Sequence, residues 1–268
     1  MDDVIQLGPL MFSPDRLLAV GLIWLFLGLG AWIDKRTGNR VARATWIALL
    51  VGILVARAAW VADNYGAFAV EPWTIIALWQ GGFNWWAGVL GAALAIILLL
   101  RRQRATGMLL ASLAGLALIH LGALHMLAAP PRPLPQGIVV AHVDGRALPL
   151  DELRGQPFVL NIWATWCPPC RREMPMLVDV AGSSDVPILL VNHRESPAMI
   201  EAFLAREKLG SSAIVLDPTG ALVAATGAQA FPTTLFVDAA GNIRTTHAGE
   251  ISRAALTAAL RNLKRNPA

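Results

Sequence analysis

Four long apolar runs crowd the first half of this chain, at Leu17–Ile33, Ala44–Ala62, Asn84–Leu100 and Gly107–Ala129. A helix that crosses a bilayer needs about 20 mostly apolar residues. Within lipid, only helices and closed barrels satisfy their own backbone groups. The runs therefore predict four spanning helices and leave little else for residues 1–129 to form. Composition agrees: the chain is 56% hydrophobic and only 15% charged, too apolar for an ordinary soluble domain. The apolar excess ends at Pro130-Pro131-Arg132-Pro133-Leu134-Pro135, where proline is dense enough for a stiff, extended spacer. The predicted organisation is a transmembrane domain over 1–129, a linker over 130–136 and a second domain over 137–268, which is of usual domain size.

The flanks of the first run argue against a cleaved leader. Asp2, Asp3 and Asp15 precede it where a signal peptide carries positive charge. Orientation follows from Lys and Arg in the short loops. Lys35, Arg36, Arg40 and Arg43 separate runs one and two, and Arg101, Arg102 and Arg104 separate runs three and four. The N-terminal segment has only Arg16, and Asp63–Phe83 has no Lys or Arg. Both basic loops are expected to be cytoplasmic, with the N-terminus and everything after Pro130 outside. The net charge of +4 comes from such clusters, and no basic stripe with interleaved aromatics points to nucleic acid.

Eight of the ten tryptophans lie in this half, enough to read as an interfacial belt around the outer and first inner loops. Pro72–Gln80 is too short to span and is expected to lie along the outer surface or re-enter slightly. Arg57 lies inside the second run, where a charge is expensive and often functional. It can snorkel outward or pair with Asp63 or Glu71, as an anchor or as part of a ligand site. His120 and His125 are expected to be hydrogen-bonded interior histidines, and no metal site is expected.

Val55-Ala56-Arg57-Ala58-Ala59-Trp60 and Trp79-Gln80-Gly81-Gly82-Phe83-Asn84-Trp85-Trp86-Ala87-Gly88-Val89-Leu90-Gly91 resemble the first half of prolipoprotein diacylglyceryl transferases. That family carries a histidine where Trp86 stands, and its later Arg/Asn signature has no counterpart before the proline linker. The resemblance therefore implies a membrane platform of that origin without lipid transfer.

The second half alternates strand, helix and turn signals. Strands are predicted at Ile138–Val143, Phe158–Ala164, Val186–Asn192 and Ala213–Leu216, with a hairpin of Thr233–Asp238 and Asn242–His247 turned at Ala239-Ala240-Gly241. Helices are predicted from Cys167 to about Val180, over Pro197–Leu209 behind an Ser196 N-cap, and over Arg253–Leu263. Together they suit a mixed α/β sheet covered on both faces.

The chain's two cysteines sit in Trp166-Cys167-Pro168-Pro169-Cys170, at a strand–helix junction. A helix N-terminus offers unpaired N–H groups and the positive dipole end, both of which stabilise a thiolate. Cys167 is therefore the expected attacking sulfur and Cys170 the resolving one. The other readings are half a zinc site or a purely structural disulfide; zinc normally needs four ligands, and no second Cys pair exists. Pro168 and Pro169 remove two N–H donors, which favours a reducing couple. Glu173 shares a helix face with Cys170 and is the expected acceptor of its proton. Asn161, six residues before Cys167, cannot take that part. Phe231-Pro232-Thr233 precedes an apolar strand and is read as a cis-proline loop that meets an extended client. Trp166, Pro168, Pro169, Phe231, Pro232 and Thr233 are the predicted client-binding residues.

The run Asn161–Pro175, with Phe231–Asp238, resembles the TlpA/ResA-like thiol–disulfide oxidoreductases, where a smaller or β-branched residue is expected at Phe231. The resemblance implies a thioredoxin-like fold, work outside the cytoplasmic membrane, and reduction of protein disulfides, often in cytochrome c maturation or copper-site assembly.

The expected fold is thus multi-domain: a four-span α-helical transmembrane domain and an α/β thioredoxin-like domain. The expected function is reduction of periplasmic protein disulfides at a bacterial inner membrane. No cofactor is expected beyond the redox-active Cys167–Cys170 pair. The membrane half has no cysteine, so a separate DsbD/CcdA-type transporter is the expected electron donor. The expected partners are disulfide-containing clients, that donor and the lipid bilayer. The alternatives are a periplasmic disulfide oxidase or isomerase, and a lipoprotein-handling membrane protein with a redox accessory.

Overall fold

The computed structural model describes residues 5–7, 10–12, 14–37, 40–101, 104–127, 130–228 and 230–265. Asp2, Asp3 and Arg102 lie outside the described residues, as do the side chains of Asp15 and Arg16. The chain divides into two compact units, Asp2–Ala129 and Pro130–Ala268.

The first unit begins with a small antiparallel pair, β1 (Ile5–Leu7) and β2 (Leu10–Phe12). Four longer helices follow: α1 (Pro14–Thr37), α2 (Val41–Asp63), α4 (Trp85–Leu100) and α5 (Arg104–Leu127). Between α2 and α4 lie a short α3 (Tyr65–Val70) and two 3-10 turns, Pro72–Ile76 and Leu78–Gln80. Three stretches, Leu17–Thr37, Val41–Asp63 and Arg104–Met126, are long and apolar enough to cross a membrane, whereas Trp85–Leu100 is apolar but shorter.

Polar side chains close the helix ends. Asp34 Oδ1 accepts the Val41 and Ala42 N–H groups at 2.6 and 3.3 Å, capping α2. Asn84 Oδ1 accepts the Ala87 N–H at 3.2 Å and caps α4. Small residues let α2 and α4 approach closely, as they do between helices in lipid. A Cβ on Gly88 would stand 3.0 Å from the Ala56 Cβ and 3.1 Å from the Gly52 carbonyl oxygen. Gly88→Val is therefore expected to cost about 1–3 kcal/mol of overpacking, read as earlier thermal unfolding of the chain in detergent. An unchanged transition would mean that the helices part freely there.

Trp32, Trp46, Trp73, Trp79 and Trp86 are exposed on this unit, as a belt requires. His125 is exposed rather than interior, next to a likewise exposed Met126. His120 is half-buried, edge-on to the Trp85 ring at 5.4 Å.

The second unit is an eight-stranded mixed sheet in the order β3-β10-β9-β6-β7-β8-β4-β5. Its elements are β3 (Arg132–Pro133), β4 (Val139–His142), β5 (Ala147–Pro149), a 3-10 turn (Leu150–Leu153), β6 (Phe158–Trp163) and α6 (Pro168–Ser183). Then come β7 (Ile188–His193), α7 (Pro197–Glu207), β8 (Ile214–Asp217), α8 (Ala221–Thr226), β9 (Thr233–Val237), β10 (Asn242–Ala248) and α9 (Arg253–Arg265). β6, β7 and β8 run parallel, and β9 pairs antiparallel with both β6 and β10. The proline segment is extended, as expected, but not a free spacer. Arg132 and Pro133 pair with Ile243 and Asn242 as an edge strand, the place where a sheet tolerates proline.

Every residue of β6 is buried, with alternate side chains entering two cores. Val159 and Trp163 pack with Met174, Leu177, Ile200, Phe203 and Leu256, under α6, α7 and α9. Phe158, Leu160 and Ile162 pack on the other face with Leu134, Leu150 and Leu222. The C-terminal end of this doubly covered strand leads into the dithiol.

Candidate functional site

Cys167 caps α6 and forms a disulfide with Cys170. Pro168 and Pro169 occupy the first helical positions and supply no N–H. The next residue does: the Cys170 N–H donates to Cys167 Sγ at 3.2 Å. The prolines thus thin the helix-end donors around this sulfur without removing them all. Both sulfur-bearing residues are buried, Cys167 at 3% exposure and Cys170 fully.

Glu173, one turn after Cys170, is buried on the inner face of α6. Its Oε2 accepts the Ile251 N–H at 2.8 Å, and its Oε1 accepts from Asn161 Nδ2 at 3.0 Å. The same Nδ2 also donates to Thr234 Oγ1 at 3.0 Å. Burial pushes the Glu173 carboxyl up from 4.5 to about 7, against the downward pull of the Ile251 and Asn161 donors. Such a group exchanges protons readily at neutral pH, as an acid–base partner must.

The approach loop is held from the side. Glu195 Oε2 accepts the Thr165 N–H and Asn192 Nδ2, each at 2.7 Å, and Glu195 Oε1 accepts the Thr165 hydroxyl. Sequence reading passed over Glu195. Its only signal is a position just beyond an apolar strand, and its partner Thr165 lies 30 residues away.

The Phe231–Pro232 peptide is cis. The Phe231 ring stands edge-on to Trp166 at 5.6 Å and tilted against His193 at 5.2 Å, so its bulk is taken up in a three-ring stack. Trp166 is 63% exposed, and Pro168 is exposed as well. Pro169 and Phe231 are half-buried. Pro232 and Thr233 face inward: the Pro232 carbonyl accepts the Gly249 N–H at 2.8 Å, and the Thr233 hydroxyl donates to the Ala230 carbonyl at 2.7 Å.

In the first unit, Arg57 is buried and bound to the segment between α2 and α4. Nε donates to the Ile75 carbonyl at 3.0 Å, Nη1 to the Gly81 and Gly82 carbonyls at 2.6 and 3.0 Å, and Nη2 to the Thr74 carbonyl at 2.6 Å. Phe68 and Phe83 rings lie 5.3 and 5.7 Å from the guanidinium carbon. The described hydrogen bonds of Arg57 all end on main-chain oxygens, so its guanidinium is held inside rather than snorkelling outward. Nearby is an apolar cavity of about 520 Å³, walled by α1, α2, α4 and α5 with Trp85 and His120 on its lining. Trp86, at the position of the transferase histidine, is exposed and stacked on Trp85 at 3.7 Å.

A family model described as Redoxin matches residues 132–260, and one described as prolipoprotein diacylglyceryl transferase matches residues 16–125. Both resemblances read from the sequence are thereby met. The thiol-disulfide oxidoreductase ResA of Geobacillus thermodenitrificans is 33% identical over 129 residues, which cover 47% of this chain and 74% of that protein. The ResA of Halalkalibacterium halodurans is 35% identical over 114 residues, covering 41% of this chain and 64% of the relative. The thiol:disulfide interchange protein DsbE homolog of Paracoccus denitrificans is 34% identical over 115 residues, with 42% and 63% covered. The chain thus spans slightly under two thirds of two of these relatives and about three quarters of the third.

Proposed function

Because the chain belongs to the ResA-type thiol-disulfide oxidoreductases, we propose that it is a membrane-anchored reductase of protein disulfides working through Cys167 and Cys170. The reduced enzyme attacks with the Cys167 thiolate. One sulfur–sulfur bond of the client breaks, a Cys167–client bond forms, and the first client sulfur leaves as a thiolate. Cys170 then gives its proton to the Glu173 carboxylate and attacks Cys167 Sγ. That step releases the second client thiolate and closes the enzyme disulfide. Two electrons pass from the dithiol to the client, whose thiolates take protons from solvent.

The observation that carries this reading is the Cys167–Cys170 pair at a helix N-terminus, with a buried carboxyl, pushed up to about 7, one turn further in. Trp166 and Phe231 form the apolar rim on which a client rests. The excess of Lys and Arg in the two basic loops supports a four-span arrangement with those loops in the cytoplasm and the dithiol on the outer face of a bacterial inner membrane. There the enzyme must be re-reduced against an oxidising surrounding. Both cysteines of the chain are already in the dithiol, so the electrons come from a separate DsbD/CcdA-type membrane donor. Trp86 in place of the transferase histidine argues for a platform that no longer transfers lipid.

Trapping tests the reading. Cys170→Ser in native membranes is expected to accumulate mixed disulfides between Cys167 and clients, reversible by dithiothreitol and missing from Cys167→Ser. A Cys170→Ser chain with no adducts, or with adducts formed only by cytoplasmic proteins, would refute it.

A further inference from the structure

The buried hydrogen bonds around Glu173 are arranged for its ionised form. Both carboxylate oxygens face donors, Ile251 N–H on Oε2 and Asn161 Nδ2 on Oε1. The second Nδ2 hydrogen is used by Thr234 Oγ1, and Asn161 Oδ1 is buried without a hydrogen-bond partner. A carboxylate only accepts, while a carboxylic acid must also donate. A proton on Oε2 would confront the Ile251 N–H, which belongs to the main chain. A proton on Oε1 would confront the Asn161 amide, which can turn.

We infer that the Asn161 side-chain amide turns over when Glu173 takes up a proton, so that Asn161, with Thr234, is the positioning residue that lets Glu173 hold the proton of Cys170. The inference rests on the reaction proposed above. A half-turn about an sp³–sp² bond leaves the shape of an amide unchanged, since that torsion is broad and two-fold. It exchanges Oδ1 for Nδ2. The Asn161 oxygen then accepts from the Glu173 hydroxyl and from the Thr234 hydroxyl, while Nδ2 takes the place where Oδ1 has no partner. Each charge state of Glu173 thus has its own bonded arrangement, and each leaves its unpaired atoms at the same spot. Aspartate at position 161 would offer only acceptors to a neighbouring carboxylate, and an aliphatic residue would offer nothing.

The other charged and titratable groups around Glu173 offset one another. Arg172, on the same helix, is bonded to Glu250 at 2.7 Å, and the two act on Glu173 with opposite sign. His247 lies 3.3 Å from the Glu250 carbonyl. Cys170 precedes Glu173 by one turn. Burial holds the Glu173 carboxyl at about 7, so both arrangements are populated near neutrality.

The test uses the full chain in detergent micelles, labelled with side-chain ¹⁵N asparagine and with ¹³C-carboxyl glutamate. The Asn161 amide signal is expected to move between pH 5 and 9 with the same midpoint as the Glu173 carboxyl. In Glu173→Gln it is expected to stay at one limiting position throughout. Asn161→Leu should raise the Glu173 midpoint by about one pH unit, because a bond to the charged form is lost and such bonds are the stronger ones. An amide signal that stays constant while Glu173 titrates would overturn the inference, as would an unmoved midpoint in Asn161→Leu. If Cys170→Ser traps no client but the amide still turns with pH, the reaction proposal and the proton transfer from Cys170 fail, and the turn of the Asn161 amide with Glu173 protonation stands.

Discussion

Glu173→Gln is expected to slow release of the client from Cys167 about a hundredfold at neutral pH, the usual scale for losing a positioned acid–base group. In the wild type, the release rate should rise with pH through the Glu173 midpoint near 7 and then level off, as the carboxylate becomes available to take the Cys170 proton. Stopped-flow measurement of release from a preformed mixed disulfide reads this directly. The glutamine variant should lose the inflection near 7 and keep only the dependence of the thiol itself.

Stability should move the opposite way. The folded-state pKa lies above the unfolded one, so the folded chain holds the Glu173 proton more tightly. Wild-type stability is therefore full below the unfolded value of 4.5 and falls as pH rises, reaching its lower level above about 7. The span corresponds to about 3 kcal/mol. Glu173→Gln, always neutral, should remove that slope and make the second unit the more stable one at pH 8. A variant with wild-type kinetics and an unaltered stability profile would show that Glu173 is only a packed surface of α6.

Arg57→Met is expected to cost the first unit on the order of 4 kcal/mol, taking about 1 kcal/mol for each of four hydrogen bonds given up to main-chain carbonyls, one buried and three part-buried. The guanidinium reaches the carbonyls of Thr74, Ile75, Gly81 and Gly82 at once, which only its planar fork of donors can do. Arg57→Lys should recover less than half of the loss. The measurements are the thermal transition of the chain in detergent and proteolysis within residues 72–83. If the segment stays protected and the transition unmoved in Arg57→Met, something other than the guanidinium holds it.

How far the fold could be read depended on how local each signal was. β6 and β7 were legible because continuous apolar runs of strand length leave few other readings. α1 outruns its apolar stretch, continuing to Thr37 past Ile33, because the charged last turn is helical without being hydrophobic. α8 was missed. It has six residues between two left-handed glycines, Gly220 and Gly227. Its first turn is held by the Asp217 carboxylate, which accepts the Ala221 and Leu222 N–H groups at 2.9 and 3.0 Å. The prolines before Leu134 read as a spacer because only a strand over a hundred residues later makes Arg132 and Pro133 an edge.

The sequence by itself determined where the dithiol lies, that it caps a helix, and that the first half consists of long apolar helices. Those properties follow from neighbours along the chain: a strand run, two prolines at a helix start, and the spacing of apolar residues. Only the tertiary structure decided that Glu173 is buried against Asn161 and Ile251, that Glu195 grips the approach loop, and that Arg57 is consumed by main-chain oxygens. The reason is physical. A buried polar group takes its character from whichever donors and acceptors come within about 3 Å of it, and folding draws those from distant parts of the chain.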